Sequence, residues 1–399
     1  MKILICIRQM VMGGIQVNAI DLAVALRDRH GCEVAFFGAP GPLVQLVKQH
    51  GMRFYPSPDA LFCPSWGVMK ALRAAVRQEQ PNLLHAWDWP PSLEAFLGVH
   101  LPMGIPMLVT DMLHEVNPIM PKRVPNTFGV PALVDEARAR GRQPVGFLPP
   151  PVDLVLNAPS AVDTESFLAR CHVQPGEIVI TTVSRLDPDM KTESIARSLD
   201  LVEEFGKQYP IRFIITGDGQ SRAELEQRAA VINAGLQRTA VIFTGALLDP
   251  RPAYAVADVV IGMGGSAMRS MAFGKPTIVV GMNGFAKLLC PETAESIYYN
   301  GNYGSGDGSN DSLRAALGRL LEQPETMVPL GRFSRDFVEK NFGLEAVADR
   351  LAAFCQQAAE EPPSFLAASG EALRIAGVYF RYRLFQRSWS PVPSFAVES

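Results

Sequence analysis

The chain has 399 residues, enough for two domains at roughly 150 residues each. Its 48% hydrophobic and 19% charged residues suit a compact globular protein, not a disordered one. A formal net charge of −3 gives no general attraction to nucleic acid, and six scattered cysteines (6, 32, 63, 171, 290 and 355) form no CxxC pair, which removes zinc and redox-motif readings and suits a reducing compartment.

The opening MKILICIRQM holds a lysine and a short apolar run, less than a signal peptide needs, and reads as a first strand, Ile3–Ile7. No run reaches the roughly 18 apolar residues of a membrane span, so a cytoplasmic location is expected. After the first strand come Met12-Gly13-Gly14 and a helical pattern over Asn18–Asp28. Paired glycines before a helix allow backbone amides to approach a phosphate, and they equally make a plain tight turn. The motif is not GxGxxG and no acidic residue follows in register, which disfavours a dinucleotide oxidoreductase. Val34–Phe37, Leu83–Ala86 and Pro106–Thr110 are further short apolar runs, as buried parallel strands require. Alternation with helical segments predicts a doubly wound α/β sheet.

Leu148–Pro151 and Val152–Ser160 read as a linker, after which the pattern restarts. Strands are predicted at Ile178–Val183, Phe213–Thr216, Val241–Thr244, Val259–Ile261 and Thr277–Val280. Helices are predicted at Glu193–Tyr209, Arg222–Ala234, Pro252–Ala257 and Ala267–Phe273. Gly301–Asp311 reads as a loop and Glu345–Gln357 as a late helix. The expected domains are 1–155 and 156–355, with a tail at 356–399.

Three strand ends in the second half carry candidate chemistry. Ser184–Lys191 follows the first strand there, and Arg185 with Lys191, six residues on, suits a diphosphate clamp or a solvated salt-bridged loop. Gly217-Asp218-Gly219 makes a sharp turn after the next. Gly262-Met263-Gly264-Gly265-Ser266 feeds a helix, with Ser266 expected as its N-cap, and offers a phosphate site at the helix start.

The order and spacing of GG near the start, VSRLDPDMK, IITGDG, VIFTG and YAVADVVIGMGGSAMRSMAFGKPTIVV resemble the retaining glycosyltransferases of family 4, from Lys2 to about Cys355. The resemblance implies the GT-B fold, two Rossmann-like domains facing across a cleft, with an N-terminal acceptor domain and a C-terminal donor domain. It implies a nucleotide-diphosphate sugar of UDP or GDP type as co-substrate, no other cofactor and no metal. Gly13 and Gly14 would meet donor phosphate or sugar. Arg185 and Lys191 would hold the diphosphate; Gly217 and Asp218 would line the donor side and Phe243 would lie beside the base. Gly264, Gly265 and Ser266 would meet the phosphates. The acceptor would be a sugar, a glycolipid precursor or a small natural product, with no nucleic acid. A nucleotide-sugar epimerase of the same fold and a catalytically silent sugar-nucleotide-binding relative are the alternatives.

The chain departs from the family pattern at instructive places. Arg269 stands where a glutamate normally holds donor hydroxyls, with a phosphate or acidic-sugar contact and a solvated helix arginine as the two readings. Met112 stands where a catalytic histidine follows a threonine; Asp111 and His114 are the nearby substitutes. His85, Trp87, Asp88 and Trp89 close a strand and add a candidate sugar-facing cluster. The interdomain segment reads PPPVD, Pro149–Asp153. Residues 371–389 set Arg374, Arg381, Arg383 and Arg387 against Glu371 among aromatics, suiting peripheral membrane contact or a helix docked across the first domain.

Overall fold

A computed structural model describes residues 1–112, 115–188, 190–361 and 364–385, with backbone alone at 190 and 382–385. The chain divides into two compact units: Met1–Pro151 with residues from Leu344 onward, and Val152–Gly343.

The first unit is built on a seven-stranded parallel sheet: β1 Lys2–Gln9, β2 Glu33–Ala39, β3 Arg53–Pro56, β4 Leu83–Trp87, β5 Met107–Asp111, β6 Asn126–Phe128 and β7 Val145–Phe147, in the order β3-β2-β1-β4-β5-β6-β7. Alternate side chains of β1 serve two cores. Ile3, Ile5 and Ile7 join one face with the helix Gly14–His30, while Leu4 and Cys6 join the other with the helix Trp66–Glu79. Each fully buried isoleucine contributes about 1.5–3 kcal/mol, which is why the run has no polar position. β3, β6 and β7 escaped the sequence reading because each has only three or four residues. In β6 the polar Asn126 and Thr127 are buried, Asn126 beside the buried guanidinium of Arg142.

The second unit holds β8 Ile178–Val183, β9 Ile211–Thr216, β10 Val241–Gly245, β11 Val259–Gly262, β12 Thr277–Val280 and β13 Ala286–Leu288, in the order β10-β9-β8-β11-β12-β13. All its pairs are parallel except β12 with β13. Ile180, Phe213, Ile215 and Ile278 fill one face; Val179 and Ile214 fill the other.

The second unit, expected to run to residue 355, closes at Gly343. The helix Leu344–Glu360 instead puts Val347, Ala348, Leu351, Cys355 and Ala358 into the core built on Ile3, Ile5 and Ile7. That spacing is a single helical stripe, and the first sheet is what buries it. The tail forms the helix Phe365–Phe385, docked on the first unit through Ala368 and Ile375. Glu371 is buried and accepts from the Lys122 N–H at 2.6 Å and from Arg374 at 2.6 Å, while Arg374 donates to the carbonyls of Pro118 and Met120. Two of the charges read as a membrane-facing set therefore serve the docking. Arg383, Arg387 and Trp389 lie outside the described side chains. Among the described residues no helix is long and apolar enough to cross a membrane.

Candidate functional site

In a doubly wound sheet, ligands collect beyond the carboxyl ends of the strands where the winding reverses. In the second unit that point lies between β8 and β11, which pair directly. The loop after β8 carries Arg185, and the helix after it, Met190–Phe205, carries Lys191 in its first turn. The helix after β11 is Gly264–Ala272. The sheet topology thus makes the two predicted phosphate motifs neighbours.

Arg185 is exposed and pairs with Asp187 at 3.1 Å, a surface contact that a stronger anion can replace. His114 and Asp189 lie outside the described residues. Gly217 and Gly219 have φ of 145° and 156°. A Cβ at Gly217 would strike the Ser184 carbonyl, and one at Gly219 would meet Leu186. The two loops are stitched together by Leu186 N–H to Asp218 O at 2.9 Å and Ser221 N–H to Leu186 O at 2.7 Å. The Gly217–Gly219 turn therefore braces the arginine loop. The Asp218 carboxylate is occupied by the Gly219 N–H and by Arg222 at 2.9 Å, which hold it below its ordinary range. Phe243 packs its side chain against the second unit's main core.

The helix start differs from expectation. Met263 is the N-cap, and Ser266 lies inside the first turn, where it accepts from the buried Tyr254 hydroxyl at 3.1 Å. A cap must precede the helical residues, and here the helix begins three residues earlier than its apolar pattern, at Gly264 with φ 51°. No side chain caps this end and no acid sits in its first turn, so its positive end is uncompensated by side chains. A Cβ on Gly264 or Gly265 would meet open space. Arg269 is exposed on the same helix; burial raises the pKa of the Tyr254 hydroxyl, and the Arg269 charge works to lower it.

One feature here had no sequence signal. Asn302 is buried at φ 59°; its carbonyl takes the Gly264 N–H at 2.9 Å, and its Oδ1 has no hydrogen-bond partner among the described residues.

In the first unit the winding reverses between β1 and β4. Beyond β1, Gly13 caps the helix Gly14–His30, again with no side-chain cap and no acid in the first turn; Gly14 is open. Beyond β4 sits Asp88, at φ 65° and ψ 174°. That region is almost reserved for glycine and costs about 1–3 kcal/mol for another residue. Burial, reinforced by Asp111, pushes the Asp88 carboxyl up to about 7, with the Met112 N–H working the other way. Asp88 Oδ1 is buried without a hydrogen-bond partner among the described residues. Asp111 itself is fully buried at the end of β5.

The rest of the β4 cluster is structural. His85 is fully buried, bonded through Nε2 to Thr110 Oγ1 at 2.7 Å, and burial pushes its pKa down to about 3, so it is neutral. Trp87 is 1% exposed and belongs to the core; Trp89 is also buried. Neither ring offers a stacking face to a sugar. Among the described residues no group of three His, Cys, Asp or Glu forms a metal-holding cluster, and all six cysteines are free and buried.

The family model for glycosyltransferase family 4 matches residues 12–122, and that for glycosyl transferases group 1 matches residues 177–323. No curated protein sequence matches the chain. Among solved structures, a glycosyltransferase from Rickettsia africae is similar at TM-score 0.73 and 13% identity, covering 90% of this chain and 99% of its own. The Anabaena protein HepE, solved with UDP and glucose, is similar at TM-score 0.66 and 16% identity, covering 90% and 100%. WaaG, a glycosyltransferase involved in lipopolysaccharide biosynthesis, is similar at TM-score 0.58 and 12% identity, covering 88% and 99%. With one family model on each unit and the same fold across nearly the whole chain, the protein belongs to the family 4 (group 1) glycosyltransferases of GT-B fold.

Proposed function

We propose that the protein transfers a sugar from a nucleotide-diphosphate donor, of UDP or GDP type, to an acceptor hydroxyl, with retention at the anomeric carbon. The observation that carries this reading is the pairing of β8 with β11 at the winding reversal, with the Arg185–Lys191 segment after one strand and an uncapped helix start after the other. A departing diphosphate needs its charge met where it develops. Arg185 offers a fork and Lys191 a point charge. The Gly264 N–H is held by the Asn302 carbonyl, so the Gly265 N–H is the one read as meeting the phosphate at the positive helix end, where a Cβ would meet open space. On this reading these groups do the work that a metal ion does elsewhere. HepE, solved with UDP and glucose, supports the donor class, and WaaG supports a glycan-precursor acceptor.

The first unit then serves the acceptor. Asp88, its carboxyl pushed up to about 7 by burial and then by Asp111, is read as the group that accepts the proton of the attacking hydroxyl. Arg269 is read as a partner of Tyr254 that stiffens the donor-side helix rather than as a substitute for a hydroxyl-binding carboxylate. The tail helix is read as a brace on the first unit.

The test is nucleoside diphosphate release from a panel of UDP- and GDP-sugars, with and without monosaccharide and glycolipid-precursor acceptors. Acceptor-stimulated release from at least one donor is expected. Nucleotide-sugar interconversion without acceptor would point to an epimerase instead, and no turnover of any donor would reject the reading.

A further inference from the structure

The first unit contains a pocket that none of the motifs above explains. It has a volume of about 140 Å³ and lies between the carboxyl-terminal half of β1, the end of β2, the segment Ser57–Cys63 and the helix Trp89–Ala95. A cavity of roughly 150 Å³ accommodates one six-membered ring. Its walls are mixed in a particular way. Phe37 and Leu72 are apolar and buried, and Phe62 and Leu61 stand exposed at 60% and 84%. Against these stand three ionisable side chains, Arg8, Asp59 and Glu94, the last with its carboxyl pushed up to about 7 by burial.

Arg8 and Glu94 feel each other electrostatically but form no ion pair among the described residues. Arg8 Nη1 is buried and has no hydrogen-bond partner there. Glu94 is 8% exposed and commits Oε1 to the Ser65 N–H at 3.0 Å. A buried guanidinium N–H without an acceptor is costly, about 1–3 kcal/mol, and a ligand oxygen removes that cost. The charge balance selects the ligand. Two acids and one base line the pocket, so a carboxylate or phosphate would meet Arg8 only beside Asp59 and Glu94. A neutral polyol meets no such repulsion: one hydroxyl accepts from Arg8, its neighbour donates to Glu94, and the ring's C–H face rests on Phe62.

We propose that this pocket binds a neutral, unphosphorylated pyranose ring of the acceptor, with Arg8 and Glu94 reading a pair of adjacent hydroxyls and Phe62 supplying the apolar face. This rests on the glycosyltransferase reading for its biological sense, but the binding itself does not depend on turnover.

The experiment is saturation-transfer NMR on the full chain with methyl α-glucoside, α-galactoside and α-mannoside, each beside its uronic acid and its 6-phosphate. UDP-induced thermal stabilisation is measured on the same samples. At least one neutral glycoside is expected to bind more tightly than its anionic partners. Arg8→Met and Glu94→Gln are each expected to weaken it at least tenfold, and the surface change Phe62→Ala at least threefold, with UDP stabilisation unchanged. The inference is overturned if no neutral glycoside binds, if the anions bind better, or if Phe62→Ala and Glu94→Gln leave glycoside affinity intact. Glycoside binding without UDP stabilisation would sink the donor reading while this pocket stands; UDP stabilisation without glycoside binding would do the reverse.

Discussion

Asp88 offers a quantitative test because two separate costs meet on one residue. Its carboxyl moves from 3.8 to about 7 on folding, through burial and then Asp111. The folded chain therefore binds more protons than the unfolded one across that interval, and stability falls as pH rises through it. Between pH 5 and pH 8 the linkage integral for those two values is about 2–3 kcal/mol lost from the native state. Asp88→Asn removes the titration but keeps the strained backbone, whereas Asp88→Gly also relieves about 1–3 kcal/mol of strain. The stability difference between Asp88→Asn and wild type should thus grow in the variant's favour by about 2–3 kcal/mol from pH 5 to pH 8. Asp88→Gly should exceed Asp88→Asn at both pH values. Urea unfolding followed by tryptophan fluorescence reads this cleanly, because the four tryptophans (66, 87, 89 and 389) all fall outside Val152–Gly343. Identical pH dependence in wild type and Asp88→Asn would refute the buried-proton argument. On the proposed acceptor role, both variants lose at least tenfold in kcat while gaining stability.

Arg185→Ala combined with Lys191→Ala should lower kcat/KM by roughly 100-fold or more, with little change in unliganded Tm, since Arg185 is an exposed surface group. Gly217→Ala should destabilise the second unit by at least about 1–3 kcal/mol through strain at φ 145° and collision with the Ser184 carbonyl; calorimetry would show it. Glu371→Ala should loosen the tail helix, because the Lys122 N–H and the half-buried Arg374 lose their carboxylate acceptor; faster limited proteolysis near residue 361 would report it.

The second unit was far more readable from sequence than the first. Ile178–Val183 and Thr277–Val280 are legible to the residue because a central parallel strand shows a continuous run of apolar and β-branched side chains. In the first unit, three- and four-residue strands such as Asn126–Phe128 carry no such run, and the polar side chains at their core are tolerated only through long-range partners such as Arg142. The sequence predicts a helix over Glu345–Gln357, found as Leu344–Glu360, but a helical stripe does not say which sheet buries it, and the first sheet does so. Ser266 was misplaced by its chemistry: serine is a good cap, but Gly264 already begins the helix. His85 and Trp87 looked functional because they end a strand. Their burial, which no local pattern reports, makes them structural. The strain at Asp88, the orphaned Asn302 Oδ1 and the Arg8–Glu94 pocket arise from tertiary placement alone.

The central claim is that the second unit receives a nucleoside diphosphate through Arg185, Lys191 and the Gly264 helix start. Calorimetric titration of UDP and of GDP into wild type and into the Arg185→Ala, Lys191→Ala double variant tests it directly. The account predicts saturable binding of one nucleotide to wild type, and at about 100 times its Kd a stabilisation of about 2.7 kcal/mol, both largely lost in the variant. No binding of either nucleotide, or equal binding to wild type and variant, would contradict it.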